Sequence, residues 1–269
     1  MFSHQPGLVL SPIPTLSHRS SSQRSLYHRN MLKTRGIVFR SVKYGETSVI
    51  ADIFTEEKGL CSFIGGGVRS AKAKMPYNLF QPMTVVELVA YHREGTGTSR
   101  LKELRASEIW TAIPFELTRG AVALFMAEVC RKAIHEEEEH RELFDFILEH
   151  LRWLDKTPHP IANLHLHFLL SLTGFLGFPP LPPDDNSEQF FDLKEGTFSP
   201  VPAPHAFVME PEQVQQMLFF MDTPLESAHE LPINRPQRKT LLGKLLQYYQ
   251  LHLPGFREVH TPEILEMVM

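Results

Sequence analysis

Cysteine is scarce in this sequence. Two of the 269 residues are cysteines, Cys61 and Cys130, and they lie far apart. A disulfide framework or a cysteine zinc site needs several thiols at short spacing, so we predict neither of them, and no cofactor. Isolated thiols in apolar stretches are typical of a reducing compartment, so we expect a cytoplasmic protein.

Long apolar runs and catalytic motifs are also missing. No run approaches the about 20 apolar residues that span a bilayer, so no membrane partner is predicted. The sequence has no G-x-S-x-G elbow, no H-E-x-x-H motif and no Rossmann glycine set. Residues 135–140 join two histidines to four glutamates, which is more typical of a solvated helix end than of a metal site. We therefore predict a protein that is not an enzyme, with no catalytic and no metal-binding residues.

Charge is unevenly distributed along the chain, although the formal net charge is only -4. Residues 31–110 carry 12 Lys and Arg against 8 Asp and Glu, whereas residues 111–269 carry 12 against 23. This asymmetry predicts two surfaces with different partners. Residues 1–30 carry three arginines and no acid, which fits a disordered N-terminal extension or an organellar transit peptide.

Short β-type segments separated by turn residues fill residues 31–112. The strand-like runs are residues 37–39, 48–54, 59–64, 83–91 and 101–110. In the last run, strict alternation predicts Leu101 and Leu104 on opposite sides of the strand. Five short strands in about eighty residues predict an OB-fold β-barrel, which we expect to be a DNA-binding domain.

The apolar period becomes helical after the barrel region. Apolar stripes with helical spacing begin near Pro114 and recur at residues 143–154, 161–176, 213–221 and 237–253. We therefore predict an all-α helical domain at residues 113–269, with a proline-rich lobe at residues 179–210. The predicted fold class is multi-domain α+β, a five-stranded OB-fold barrel followed by helices.

The segment best suited to a ligand is the glycine-rich, basic run at residues 65–74. Its three glycines let the backbone approach a ligand, and its cations suit contact with successive phosphates. A solvated hairpin loop can have the same composition. Other barrel cations, and two rings after the run that can stack on bases, complete the predicted DNA-binding set. That set is Arg35, Arg40, Lys43, Arg69, Lys72, Lys74, Tyr77, Phe80, Arg100 and Lys102.

A second group of cations lies in the acidic helical part. Arg235, Arg238 and Lys239 can share one face near a helix start, where the helix dipole favours acids instead. A negatively charged ligand and ordinary surface variation both explain this placement. With Arg131 and Lys132, which end the first body helix, these three form the predicted partner-binding set.

Several motifs along the chain, in order, resemble the bacterial RecO family of recombination mediators. They are residues 33–39 (KTRGIVF), 44–48 (YGETS), 54–60 (FTEEKGL), the loop 65–74, 79–82 (LFQP), 101–104 (LKEL), 106–108 (ASE) and 172–180 (LTGFLGFPP). Residues 79–82 look like the start of the family's fourth barrel strand. The resemblance covers about residues 31–269 and lies in the order and spacing of the motifs.

The proline-rich lobe departs from the family pattern. Many family members place four cysteines there, as paired C-x-x-C units that hold zinc, whereas this sequence has none. The acids of the lobe and His205 do not have convincing zinc spacing, so the family's zinc site is not expected here. Four phenylalanines suggest apolar packing instead: Phe190, Phe191, Phe198 and Phe207.

The resemblance implies a role in recombinational DNA repair, in the bacterial cytoplasm near the nucleoid. Such proteins bind single- and double-stranded DNA and anneal complementary strands. They work with the RecR protein and the single-strand-binding protein to help load the RecA recombinase. The single-strand-binding protein ends in an acidic, apolar tail, which suits the basic cluster at residues 235–239 and the leucines that follow it. The alternative is an OB-fold protein-interaction module in which DNA is incidental.

Overall fold

The computed structural model describes residues 30–70, 73–92, 97–135 and 138–269. The predicted extension at residues 1–30 lies, apart from Asn30, outside these ranges. The first part of the chain forms strands β1 Asn30–Tyr44, β2 Ser48–Thr55, β3 Gly59–Gly65, β4 Val85–His92 and β5 Thr98–Ala106. A 3-10 helix at Tyr77–Phe80 precedes β4, so the motif at residues 79–82 is not the start of the fourth strand as expected.

The five strands close into a barrel with the hydrogen-bonded order β1-β2-β3-β5-β4. The first strand pairs with both β2 and β4, and a bulge at Phe39 bends it between these two neighbours. Gly36 of β1 packs closely against β2, because a Cβ at this position would lie 2.5 Å from Cγ2 of Ile53. The parallel pair β3–β5 completes the barrel. This arrangement confirms the predicted five-stranded OB-fold.

A second bulge changes which residues of β5 face the barrel interior. Val89 of β4 pairs with Glu103, but the next residue, Ala90, pairs with Leu101, so Lys102 is the extra residue. Leu101 and Leu104 are consequently both buried in the barrel core. The prediction that they lie on opposite sides of the strand was wrong because one extra residue reverses the alternation.

The helical body follows the barrel. Its helices are α1 Leu117–Ala133, α2 Arg141–Lys156, α3 Leu164–Phe175, α4 Pro211–Asp222, α5 Arg235–His252 and α6 Thr261–Val268. Nine of the 12 residues of α3 are buried, which makes it the central helix of the body. The predicted helical region is confirmed. No helix within the described ranges is long and apolar enough to cross a membrane.

The outer wall of the barrel packs directly on the helical body. Phe39 and Phe54 point outward from β1 and β2, and their rings stack with centroids 5.7 Å apart. Phe54 also stacks on Phe144 of α2, with a centroid distance of 6.2 Å. All three rings are buried in the apolar core that continues into the body. Barrel and body therefore share one core, and their relative position is fixed by packing.

The proline-rich lobe contains a small three-stranded sheet that the sequence did not predict. Its strands are β6 Phe190–Asp192, β7 Thr197–Ser199 and β8 Val208–Met209, in the order β7-β6-β8. The ring of Phe191 packs against Phe198 at 4.8 Å and against Tyr248 of α5 at 5.5 Å. Lys244 of α5 donates a hydrogen bond of 2.6 Å to the carbonyl of Val208.

The residues of this lobe do not fit zinc. The lobe has no cysteine, and its one close ligand pair is His205 with Asp192, 3.3 Å apart. Along the described chain no three His, Cys, Asp or Glu side chains come together as a metal-binding group. Aromatic packing and hydrogen bonds to α5 hold the lobe in place.

A single carboxylate organises the segment that joins barrel to body. Both oxygens of Asp155, which is buried at the end of α2, accept hydrogen bonds from the backbone N–H groups of Thr111, Ala112 and Ile113 at 2.8–3.0 Å. The hydroxyl of Thr111 donates a further bond of 2.9 Å. These donors lower the pKa of Asp155. Trp110 ties the same segment to the barrel by donating to the carbonyl of Met83 at 2.9 Å.

We expect Asp155→Ala to lower the free energy of unfolding by about 3 kcal/mol, because three backbone N–H groups lose a charged acceptor. Urea denaturation followed by tryptophan fluorescence measures the change. Glu149→Ala, which removes an exposed acid from the same helix, is the control and should change the value by less than about 0.5 kcal/mol. Equal losses in the two variants would contradict a special role for Asp155.

Two buried histidines, His150 of α2 and His167 of α3, form a chain of polar contacts that has one N–H donor too few. Nδ1 of His150 lies 2.9 Å from the carbonyl of Phe146, and Nε2 of His167 lies 3.0 Å from that of Thr223. A carbonyl oxygen only accepts, so a neutral ring that makes this contact as a hydrogen bond uses its only N–H for it. The remaining atoms, Nε2 of His150 and Nδ1 of His167, then face each other as two lone pairs at 3.3 Å.

Burial nevertheless keeps these rings neutral. It lowers the pKa of His150 to about 3 and also lowers the pKa of His167. A third buried ring, His165, has its pKa lowered to about 3 by burial and by the nearby Arg238. In the unfolded chain all three rings take up a proton near the ordinary histidine pKa of about 6.5.

We therefore expect the free energy of unfolding to fall as the pH falls below about 6.5, because the unfolded chain then binds protons that the folded chain does not. Between about pH 7 and pH 5.5 the loss should be about 1 kcal/mol each for His150 and His165. Urea denaturation at several pH values tests this. His150→Gln should reduce the slope, whereas His135→Gln, which changes an exposed histidine, should leave it unchanged; identical slopes in all three proteins would contradict the assignment.

Candidate functional site

The barrel surface not covered by the body carries a group of exposed cations around β2 and β3. Arg40 on β1 stands opposite Asp52 on β2, which stands opposite Ser62 on β3. Two residues further along the strands, the next outward row runs from Ile50 through Ile64 to Arg100 on β5. We call the outward side of β2 and β3, with its flanking cations, the basic face. Its residues are Arg40, Lys43, Ile50, Asp52, Ser62, Ile64, Arg69 and Arg100. Lys74 is exposed in the segment that follows β3.

The glycine-rich loop after β3 packs against the turn between β1 and β2. Val68 is buried in the barrel core, and its N–H donates a 2.9 Å hydrogen bond to the carbonyl of Thr47. The guanidinium of Arg69 donates to the carbonyl of Glu46 at 3.1 Å. Gly67 has a φ of +68°, a left-handed conformation that favours glycine at this turn. The loop thus brings Arg69 beside the end of β1, where Lys43 lies.

Five of the predicted DNA-binding cations are exposed and form no ion pair within the described ranges. They are Arg40, Lys43, Arg69, Lys74 and Arg100. Among the residues of the basic face the acid is Asp52, and one of its oxygens accepts a 2.8 Å hydrogen bond from the hydroxyl of Ser62. The face therefore carries an excess of positive charge. Lys72 lies outside the described residues.

Arg35 does not belong to the basic face, which corrects the prediction for this residue. Its Nε donates to Glu56 at 2.9 Å, and its guanidinium lies 5.1 Å from the centre of the Phe144 ring. Asp145 of α2 is a further partner at 3.7 Å. The hydrogen bond to Glu56 raises the pKa of Arg35 and lowers that of Glu56. Arg35 thus holds barrel and body together and is not free to bind a phosphate.

The ring prediction for Phe80 was also wrong. Phe80 is 0% exposed and fills the barrel core, so it cannot stack on a base. Tyr77 is half-buried against the same core. On the five barrel strands as described, the exposed rings are Tyr44, at 54%, and Tyr91, at 37%. Tyr91 pairs with Arg100, and Tyr44 ends β1 beside the loop. The outward position of Tyr91 in the alternation of β4 is the sequence signal that could have identified it.

Lys102 contributes less to the basic face than predicted. As the bulged residue of β5 it lies 3.9 Å from the sulfur of Met31 and 4.0 Å from a carboxylate oxygen of Glu103. Both partners stand on the side of the barrel where β1, β4 and β5 meet. There the charges alternate in sign, since Lys33 and Arg105 lie beside Glu87 and Glu103.

The helical body contains an apolar cavity with a basic rim. The cavity has a volume of about 250 Å³ and lies between α3, α5 and α6. Leu242, Leu265 and Met269 supply apolar lining, together with the buried ring of His165. Nδ1 of His165 has no hydrogen-bond partner among the described residues.

The cations at the rim are Arg235, Arg238 and Lys239, three of the predicted partner-binding residues. They come together at the first turn of α5, which begins with a capping box formed by Asn234 and Gln237. Arg238 donates a 2.7 Å bond to the carbonyl of Ile233, and burial lowers its pKa. Arg235 is exposed and forms no ion pair within the described ranges. The structure therefore brings these three cations to one apolar cavity.

The other two predicted partner-binding residues lie elsewhere. Arg131 and Lys132 line a separate, more polar cleft of about 570 Å³ with Arg257. The amine of Lys132 is bonded to Glu128 at 2.8 Å and to the carbonyl of Glu258, so it is not free to bind a partner, which corrects the prediction for this residue.

Comparison with known proteins places both halves of the chain in one family. The sequence profile described as Recombination protein O N terminal matches residues 30–110, and that described as Recombination protein O C terminal matches residues 114–260. The DNA repair protein RecO of Bacteroides fragilis is 37% identical over 235 residues, covering 87% of this chain and 97% of the relative.

Two further relatives show the same extent of similarity. The DNA repair protein RecO of Christiangramia forsetii is 33% identical over 245 residues, covering 88% of this chain and 99% of its own. The corresponding protein of Phocaeicola vulgatus is 32% identical over 234 residues, covering 87% and 97%. Since profiles of both halves match and the similarity extends over nearly the whole length of these relatives, the chain belongs to the RecO family of DNA repair proteins.

Proposed function

We propose that this protein is a recombination mediator in DNA repair, without enzymatic activity of its own. Its barrel binds single- and double-stranded DNA and anneals complementary single strands. Together with RecR it helps to load RecA on strands that carry the single-strand-binding protein, whose tail binds the helical body. The observation that carries this proposal is the group of five exposed, unpaired cations around β2 and β3 of an OB-fold barrel.

The chemistry of the basic face suits a strand held mainly by its phosphates. Lys and Arg contacts to phosphate contribute affinity but carry no sequence information. The centre of the face presents Ile50 and Ile64, while the exposed rings of Tyr44 and Tyr91 lie at its margins. A strand bound through its phosphates keeps most base edges available for a complementary strand. Annealing requires this property.

We expect Arg69→Ala/Arg100→Ala to weaken binding of a single-stranded oligonucleotide and to flatten its salt dependence. Loss of two phosphate contacts should reduce the slope of log K against log salt by about 1.4. Fluorescence anisotropy titrations at several salt concentrations measure this slope. Annealing of complementary oligonucleotides should slow in parallel.

The matched control is Lys33→Ala/Arg105→Ala, which removes the same charge from the mixed-charge side of the barrel. It should leave the slope close to that of the unchanged protein. Equal slopes in both double variants would place the DNA elsewhere. Binding that does not depend on salt would instead favour the protein-interaction module.

The apolar cavity at α5 supports the proposed interaction with the single-strand-binding protein. An acidic, apolar peptide needs an apolar recess for its side chains and cations at the edge for its carboxylates. The cavity combines Leu242 and Leu265 with the exposed Arg235 and Lys239. This pairing of an apolar lining with a basic rim is the feature that we assign to tail binding.

We expect Arg235→Glu/Lys239→Glu to weaken binding of a fluorescent peptide that copies this tail by at least about tenfold, since a lost charge contact of about 1.4 kcal/mol corresponds to that factor. Arg238 is left unchanged because it also supports the carbonyl of Ile233. DNA binding by the same variant should stay within about twofold of the unchanged protein. The control Arg131→Glu/Arg257→Glu alters the other cleft; a loss of peptide binding in the control alone would move the site there.

A further inference from the structure

An ion pair spans the apolar cavity between α5 and α6. Lys239 of α5 and Glu266 of α6 both line the cavity, and the amine lies 2.9 Å from a carboxylate oxygen. Both side chains are accessible, with exposed fractions of 64% and 39%. Glu266 is the acidic residue in the lining, beside three cations. Part of the basic rim is therefore already neutralised by the protein itself.

We propose that Glu266 is an internal competitor that occupies Lys239 and thereby lowers the affinity of the cavity for peptides that carry a carboxylate. This inference rests on the proposed peptide-binding function of the cavity. An incoming carboxylate has the same chemistry as the side chain of Glu266, so it can replace Glu266 at Lys239. A neutral apolar peptide cannot make this exchange, and its binding leaves the ion pair in place.

The exchange involves the side chain of Glu266 and leaves helix α6 in its position. At the start of α6, the carboxylate of Glu128 accepts bonds from the N–H groups of His260 and Thr261 at 2.9–3.1 Å, and from the Thr261 hydroxyl at 2.8 Å. These contacts and Lys132 lower the pKa of Glu128 to about 2, so the anchor remains charged at neutral pH. Leu265, next to Glu266, is buried. The backbone of α6 is thus fixed while its acidic side chain can rotate.

The exposure of the ion pair makes the exchange feasible. Water screens an accessible pair, so its side chains separate readily. Arg235 has no acidic partner among the described residues and can attract the ligand before the exchange takes place. Glu266 therefore reduces affinity for every acidic ligand by a moderate factor but does not block the cavity.

The test uses the full chain and two fluorescent peptides. One copies the acidic, apolar tail of the single-strand-binding protein, and the other carries Asn or Gln in place of each Asp or Glu. Removal of the competitor in Glu266→Gln should tighten binding of the acidic peptide about threefold to tenfold. The neutral peptide should bind to both proteins with affinities that agree within about twofold.

The matched control is Glu263→Gln, which removes one exposed acid from the first turn of the same helix but not from the cavity. It should leave both affinities close to those of the unchanged protein. Equal tightening in the two variants would assign the effect to overall charge and overturn the proposal. Unchanged binding of the acidic peptide to Glu266→Gln would also overturn the proposed role of Glu266, but the proposed tail site would stand. Failure of the acidic peptide to bind any of the proteins would overturn both the inference and the proposed tail site.

Discussion

Burial of the outer wall of the barrel against α2 is the contact on which the rest of the molecule depends. Phe39 and Phe54 stack on each other, and Phe54 stacks on Phe144, so one side of the barrel has no access to solvent. The outer surface of an OB-fold is limited, and the body covers this side of it. The outer surface of β2 and β3 beyond Phe54 stays exposed, and a ligand can reach it there. The location of the basic face is therefore a consequence of how the two parts pack.

Further contacts at this boundary limit motion between barrel and body. Arg35 reaches from β1 to Glu56 and to the ring of Phe144, and Asp155 holds three successive backbone N–H groups of the connecting segment. A connection held in this way is not a flexible linker. The basic face of the barrel and the apolar cavity of the body are therefore held at a set separation.

Much of the fold could be predicted from the sequence, because it depends on local patterns. The five strands and the main helices follow from apolar periodicity, turn residues and proline positions. The bulge at Lys102 could not be predicted, since one extra residue produces no change in composition. The three-stranded sheet in the lobe was missed because its strands have two or three residues each, too few to show a period.

The candidate sites were harder to predict, because whether a cation is free depends on residues distant in the chain. Arg35 is neutralised by Glu56, 21 positions away, and Lys132 is bonded to the carbonyl of Glu258, 126 positions away. No local pattern reveals these pairs. The cluster at the start of α5 was easier to recognise, since its members are three and four residues apart and must share a helix face.

The lobe at residues 179–210 has a consequence for the conditions under which the protein keeps its shape. Thiolate ligands of a metal are readily oxidised, and their loss releases the metal and the structure that it holds. This lobe has no cysteine ligands. It is packed by the rings of Phe191, Phe198 and Tyr248, which contain no sulfur. The two thiols of the chain are buried in the barrel and in α1, outside the lobe. Oxidants that damage DNA therefore have no thiol to attack in this part of a protein that belongs to a DNA repair family.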